Sequence, residues 1–261
     1  MDIVKLSLDT APGGAIAQAR QVVAEQSWLR TSDAVLGLPS DFHHHVSGYL
    51  TDATLGDDLP GFEPTGGRKR ARDVIEYRRT ADGLLLAEYP RITLPPRYSV
   101  KTSREYNRIF TLGDPLFAQW LATLLELIPP GSDEWFERGT VGVNFFRTFR
   151  DVVPFPHQDE EPFVCVYVVD RKAEGATTIL YRAEDLLWDS NGGRVLAPGT
   201  EPLFEATLTP GEWFVFRDDV FAHTATPLRP RWPSDTSYHR DVLVVTVHKP
   251  SSYPEEFIPE V

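Results

Sequence analysis

Three residues in the second half of the chain, His157, Asp159 and His223, carry side chains of the kind that hold metal ions. In an extended segment, residues i and i+2 project to the same side, so His157 and Asp159 can aim at one point. His223 follows the run Trp213–Phe216 and the turn Arg217-Asp218-Asp219, from which it can return across a closed sheet as a third ligand. Two imidazoles and one carboxylate on one face of an ion leave its other positions open. That donor set suits a non-haem Fe(II) that must hold a co-substrate and O2 together. His-x-Asp alone is a common sequence, and the alternative is a loop histidine beside a surface carboxylate in the acidic run with Glu160 and Glu161. Arg240 stands 17 residues after His223, at the entrance to the apolar run Val242–Val247. A guanidinium held there can grip a carboxylate with two parallel charge-assisted hydrogen bonds. The competing reading pairs it at the surface with Asp241 or Asp235.

The elements that must position these residues are mostly strands. Val141–Phe149, Phe163–Val169, Thr177–Arg182, Leu203–Leu208, Trp213–Phe216 and Val242–Val247 are β-branched or aromatic runs. They are divided by turn signals such as Glu174-Gly175, Asn191-Gly192-Gly193 and Pro210-Gly211. With no helices interleaved, they predict an antiparallel sandwich or barrel rather than a βαβ fold. Two stretches predict helices, Ala15–Leu29 and Asp114–Ile128. The second has Asp114 as N-cap, Pro115 in the first turn, a broad apolar stripe and a Pro129-Pro130 stop. The stretch from Leu55 to Arg79 is the least informative, and its basic run Arg68-Lys69-Arg70-Ala71-Arg72 reads as a solvated loop or surface face. The cluster His43-His44-His45 reads as a turn rather than a metal site. Trp213, Phe214 and Phe216 read as core.

The chain has 261 residues, with 26 Lys+Arg against 38 Asp+Glu and a net charge of -12. So acidic a surface disfavours nucleic acid and anionic lipid as partners. Hydrophobic residues make up 41% of the chain, enough for a real core, which excludes disorder throughout. Cys165, the single cysteine, rules out an internal disulfide framework and fits a reducing cytoplasm. No apolar run reaches membrane-spanning length, and the start of the chain lacks the pattern of a signal peptide.

Several segments together resemble a known family. They are Val143-Asn144-Phe145-Phe146-Arg147-Thr148, His157-Gln158-Asp159, the run Val169 to Gly175, Arg217-Asp218-Asp219 before His223, and the run Tyr238 to Thr246. In this order they look like the 2-oxoglutarate/Fe(II)-dependent dioxygenases that include bacterial free amino-acid hydroxylases of the L-isoleucine 4-hydroxylase type. The likeness runs from about Val141 to His248. It implies a mainly β fold with flanking α-helices around a double-stranded β-helix (jelly-roll, cupin-like) core. One dioxygenase domain is expected over 1–261, with a mixed flanking region at 1–140 and the core at 141–250. His157, Asp159 and His223 would bind Fe(II), and Arg240 the distal carboxylate of 2-oxoglutarate, with O2 as the other co-substrate. Family members often carry Gly after His-x-Asp where this chain has Glu160-Glu161-Pro162, and Ala183–Thr200 is a long insert.

The resemblance implies oxidation of an unactivated C–H bond of a free L-amino acid or close derivative. Hydroxylation is the leading outcome, with desaturation or ring closure, cyclopropane formation included, as alternatives from the same site. A carrier-bound substrate, or a cupin-like metal enzyme without redox chemistry, are further alternatives. Asp159 argues against halogenation, which needs that ligand position for halide. For an amino-acid substrate, Arg147 is the first choice for the carboxylate, against an internal salt bridge. Glu160 or Glu161 could meet the ammonium, against simple solvent exposure.

Overall fold

A computed structural model describes residues 3–6, 13–57, 67–89, 107–131, 134–149, 153–159, 161–189 and 193–248. The first half contains β1 (Ile3–Leu6), α1 (Gly14–Gln26), β2 (Trp28–Ser32), α2 (Phe42–Ser47), β3 (Gly56–Asp57), β4 (Arg68–Thr80) and β5 (Gly83–Glu88). Next come α3 (Pro115–Leu127), α4 (Glu134–Glu137), β6 (Arg138–Thr148), β7 (Val153–His157), β8 (Phe163–Arg171), β9 (Glu174–Gly175) and β10 (Thr178–Arg182). The remainder is β11 (Leu186–Trp188), β12 (Arg194–Leu196), β13 (Phe204–Ala206), β14 (Glu212–Arg217), β15 (Phe221–Ala225), β16 (Leu228–Arg229) and β17 (Arg240–His248).

The strands form a large antiparallel sheet of order β1-β5-β4-β6-β17-β8-β14-β2, with β3 beside β4, and a small sheet of order β13-β10-β15-β7. The two face each other across an apolar layer of Phe146, Val164, Val166, Val168, Phe214, Phe216 and Val242 from the large sheet and Leu180 and Phe221 from the small one. This is the expected mainly β architecture, with a jelly-roll core and flanking helices. The opposite face of the large sheet is buried under the helices, in a second cluster that includes Ala71, Val143, Phe145, Cys165, Tyr167, Trp213 and Leu243.

Helix α3 shows why that face is closed. The Asp114 carboxylate accepts from the N–H groups of Leu116 and Phe117, which caps the first turn. Trp120 then packs on Trp213 with ring centroids 4.6 Å apart and on Tyr167 at 5.3 Å. Each such buried aromatic contributes about 1.5–3 kcal/mol. Helix α1 ends sooner than its periodicity suggests. Ser27 takes a left-handed conformation, φ 65°, and Trp28 and Leu29 become strand β2 instead.

Two segments differ from their sequence readings. The basic run opens β4, a 13-residue strand inside the large sheet, and Arg72 is buried there. The insert Ala183–Thr200 contains the hairpin of β11 and β12, which are paired from Leu186↔Leu196 to Trp188↔Arg194. Among the described residues, no helix is long and apolar enough to cross a membrane.

Candidate active site

His157 ends β7, His223 lies in the middle of β15, and the two are register partners across the small sheet. Their ring centroids are 4.2 Å apart. Asp159, two residues beyond His157, places one carboxylate oxygen 3.7 Å from His157 Nε2 and the other 3.8 Å from His223 Nε2. One ligand atom from each residue lies within 4.8 Å of the others, the one such group among the described residues. Neighbouring ligands on an ion bound at about 2.1 Å sit roughly 3 Å apart, so a small inward movement closes the set.

The hydrogen bonds around the trio orient it for this. His223 Nδ1 donates to Asp218 Oδ1 at 3.1 Å, and His157 Nδ1 donates to the carbonyl of His223 at 3.1 Å. With both Nδ1 atoms committed, both Nε2 lone pairs face Asp159, the tautomer that a metal-binding histidine needs. Burial, and then the neighbouring imidazole of His223, hold His157 below the usual histidine range, which keeps it a neutral donor. Asp218 is itself fully buried, and burial raises its carboxyl above the usual range against the pull of His223. It also accepts the Glu161 backbone N–H at 3.4 Å, while its carbonyl accepts from Gln158 Nε2 at 2.7 Å. A single buried carboxylate thus links the turn before β15 to the loop that carries Asp159.

Arg240 opens β17 on the inner face of the large sheet, the side of Val242, and is 3% exposed. Its Nε and Nη2 have no hydrogen-bond partner among the described residues. Burial, with a smaller push from Arg171 opposite it on β8, brings its pKa down to about 10. A buried guanidinium with unmade bonds is costly, and a carboxylate that accepts from both nitrogens removes the cost. The residues present therefore fit the distal carboxylate of 2-oxoglutarate, as the donor trio fits a ferrous ion. Phe216, which shares the apolar layer with Val242, places its ring 5.0 Å from that of His223.

Asp241, a suggested partner for Arg240, points the other way. It is held by Arg147, whose Nε and Nη2 reach its two oxygens at 2.8 and 2.7 Å, with Nη2 also donating to the Leu50 carbonyl at 2.8 Å. Both residues sit on the helix-covered face with Phe145 and Leu243, so Arg147 makes the internal salt bridge and is not brought to the trio. Glu160 lies outside the described residues. Glu161 is buried rather than solvent-exposed, with a carboxylate oxygen 2.7 Å from His248 Nδ1. His248 Nε2 in turn meets Arg72 Nη2 at 3.2 Å.

His43, His44 and His45 fall on the short helix α2, where His45 pairs with Asp114 and not with a metal site. Two features escaped the sequence reading. Asp218 enters the sequence reading only as part of the Arg217-Asp218-Asp219 segment that carries the resemblance, with no role of its own. Arg68, Arg70 and Arg72 recur at the strand period of two, a pattern that could have placed them on one face of β4.

Comparisons with known proteins agree with this geometry. Residues 154–246 match the family model described as 2OG-Fe dioxygenase, a stretch that takes in His157, Asp159, His223 and Arg240. Over that stretch the chain carries a 2OG-Fe dioxygenase domain, which supports a 2-oxoglutarate-dependent dioxygenase that uses Fe(II), 2-oxoglutarate and O2. Solved structures share the fold over nearly the whole chain. A bsmA homolog from Methylobium petroleophilum PM1 is 20% identical with a TM-score of 0.69, over 92% of this chain and 95% of that one. IDO from Bacillus thuringiensis is 18% identical with a TM-score of 0.64, over 94% and 99%. The Fe(II)/(alpha)ketoglutarate-dependent dioxygenase TqaL is 12% identical with a TM-score of 0.66, over 98% and 96%. No curated protein matches the chain.

Proposed function

We propose that the protein hydroxylates an unactivated C–H bond of a free L-amino acid or close derivative, with His157, Asp159 and His223 holding Fe(II) and Arg240 holding 2-oxoglutarate. The observation that carries the site assignment is the pairing, across one apolar layer, of an oriented His/Asp/His trio with a buried guanidinium whose Nε and Nη2 have no partner among the described residues. When bound, the ion with its two co-substrates supplies the oxidising power that breaks such a bond. The chain's own residues bind and orient. His157 and His223 donate through Nε2, Asp218 keeps the His223 proton on Nδ1, and the Arg240 fork fixes the far end of 2-oxoglutarate. Phe216, Leu180 and Val164 belong to the apolar layer between the two sheets. The amino-acid assignment is supported by the sequence likeness from about Val141 to His248. We also place the protein in the cytoplasm, in keeping with its single, buried, free Cys165.

The test is a panel of free L-amino acids given Fe(II), 2-oxoglutarate, ascorbate and O2, with succinate and product mass read together. Gain of one oxygen atom supports hydroxylation, and loss of two hydrogens means desaturation or ring closure. Succinate stimulated only by a carrier-bound amino acid overturns the free substrate. Absence of Fe(II)-dependent 2-oxoglutarate consumption in every reaction overturns the oxygenase reading.

A further inference from the structure

Of the three donors in the trio, Asp159 is the one that no strand ladder holds. His157 ends β7 and His223 lies within β15, so their mutual pairing fixes both backbones. Asp159 sits in the connection that leaves the small sheet at His157 and enters the large sheet at Phe163, where β8 begins. A ligand on an unpaired connection must be held from its flanks, or the ordering is left to the moment of binding.

The far flank ends in a buried carboxylate. Phe163 stands opposite Val247 in the ladder of β8 and β17, so the chain enters β8 beside the end of β17, where His248 lies. Glu161 and His248 are each 6% exposed, and a carboxylate oxygen of the first is 2.7 Å from Nδ1 of the second. On the other side of the ring, Arg72 Nη2 of β4 reaches His248 Nε2 at 3.2 Å, and Thr246 Oγ1 lies 3.0 Å from the same nitrogen. A guanidinium can only donate, so Nε2 accepts and the ring proton sits on Nδ1, facing Glu161. Gly142, opposite Thr246 in β6, makes room for this arrangement. A methyl group there would stand 2.7 Å from His248 Nε2 and 2.5 Å from Arg72 Nη2. Pro162 confines Glu161 to extended backbone, and the Glu161 N–H donates to Asp218 Oδ2 at 3.4 Å. The side chain thus ties the connection to the large sheet, while the backbone ties it to the turn before β15.

We propose that Glu161 is a positioning residue, whose buried contact with His248 holds the Asp159 carboxylate in place for the metal ion. This rests on the oxygenase reading above. A buried pair of this kind adds little net stability over apolar side chains, and what it fixes is geometry. The proposal gives Glu161 a task other than meeting a substrate ammonium.

Glu161→Ala and Glu161→Gln are compared with the wild type by anaerobic Fe(II) titration of the metal-free proteins, well below their melting temperatures. The visible charge-transfer band of the Fe(II)–2-oxoglutarate complex is then recorded for each. Glu161→Ala is expected to weaken Fe(II) binding about 10- to 30-fold and to shift the band. Glu161→Gln, which keeps the length and an acceptor oxygen toward Nδ1, is expected to stay within about threefold of the wild type. KM for the amino acid that best stimulates succinate formation stays within about twofold in both. A lowered melting temperature with wild-type Fe(II) affinity and an unshifted band makes Glu161 merely structural and overturns the inference. A raised KM at unchanged Fe(II) affinity also overturns it, by assigning Glu161 to the substrate. Equal losses in the two variants overturn it as well, because charge rather than position would then be what the metal feels. If Glu161→Ala fails to fold, Gly142→Ala presses on the His248 ring from behind and leaves the connection itself untouched. It is expected to lower Fe(II) affinity about threefold or more, and wild-type affinity there overturns the inference. A wild type without Fe(II)-dependent turnover of 2-oxoglutarate removes the oxygenase reading and the inference together, whereas every other adverse outcome leaves that reading standing.

Discussion

Arg240 and Asp241 are neighbours in β17, and the pleat sends them into opposite environments. On the helix-covered face, Asp241 meets a two-pronged Arg147, and Asp33 accepts from Tyr167 Oη and Trp213 Nε1, both at 2.7 Å. Facing the apolar layer, Arg240 Nε and Nη2 have no hydrogen-bond partner among the described residues, and across it the Nε2 atoms of His157 and His223 converge on Asp159. On the first face, Asp241 with Arg147, and Asp33 with Tyr167 and Trp213, complete one another and stabilise the fold. The polar groups of the second are, in the reading proposed above, completed by the metal and 2-oxoglutarate. Burial alone does not separate the two, since Arg240 and Asp241 are almost equally buried. What separates them is whether the chain itself supplies the partner.

Substitutions on the two faces should therefore fail in different ways. The largest effect is expected from His223→Ala or Asp159→Ala. Turnover falls to background and Fe(II) affinity drops well beyond the roughly 10–100-fold that outer partners of a metal site carry. The melting temperature of the metal-free protein barely moves. A metal-free protein that unfolds instead would show that the trio is structural, which breaks the contrast.

The neighbouring pair gives the next largest effect. Arg147→Gln strands Asp241 in a buried setting and should cost about 3–5 kcal/mol in urea unfolding. Arg240→Gln should leave unfolding unchanged or slightly improved, because it removes a buried charge whose Nε and Nη2 lack a partner among the described residues, yet weaken 2-oxoglutarate binding by about 2–5 kcal/mol. Equal destabilisation by both variants would sink the distinction. Asp218→Asn sits between the classes. It keeps the shape but weakens the hold on the His223 proton, so metal affinity should fall about 10- to 100-fold with little change in KM for the organic substrate. A metal titration that matches the wild type would show that Asp218 serves only the turn.

Much of this arrangement was legible in the amino-acid order. Phe163–Val169, Trp213–Phe216 and Val242–Val247 are runs that belong in a sheet buried on both sides, and His157 and Asp159 have the i, i+2 spacing that brings them together. The same two-sided burial hid which face each residue takes. Along β6, Val143, Phe145 and Phe146 are all apolar, so nothing in the pattern sets the parity that sends Arg147 outward and Phe146 inward. β7 escaped because it contains Pro154 and Pro156, which a strand tolerates at the edge position it occupies. β4 escaped because its inner side carries Arg68, Arg70 and Arg72, a polar surface that resembles solvent-facing sequence.

The smallest effect tests whether the closed face is free of strain. Asp73 of β4 lies there, fully buried, and accepts from Arg108 Nη2 at 2.9 Å and from the N–H and Oγ1 of Thr111 at 3.0 and 2.7 Å. Burial, and then the nearby Glu88 carboxylate, raise it from 3.8 to about 7 despite these donors. Between about pH 4 and 7, the folded protein holds a proton that the unfolded chain has released, so this group lowers stability as pH rises through that window. Asp73→Asn retains the shape without the titration. The wild type should lose about 3 kcal/mol relative to the variant from pH 4.5 to 7.5, most of it before pH 7, as measured by urea unfolding. Parallel curves would mean that the donors around Asp73 satisfy its charge in full, and that the helix-covered face is as complete electrically as it is sterically.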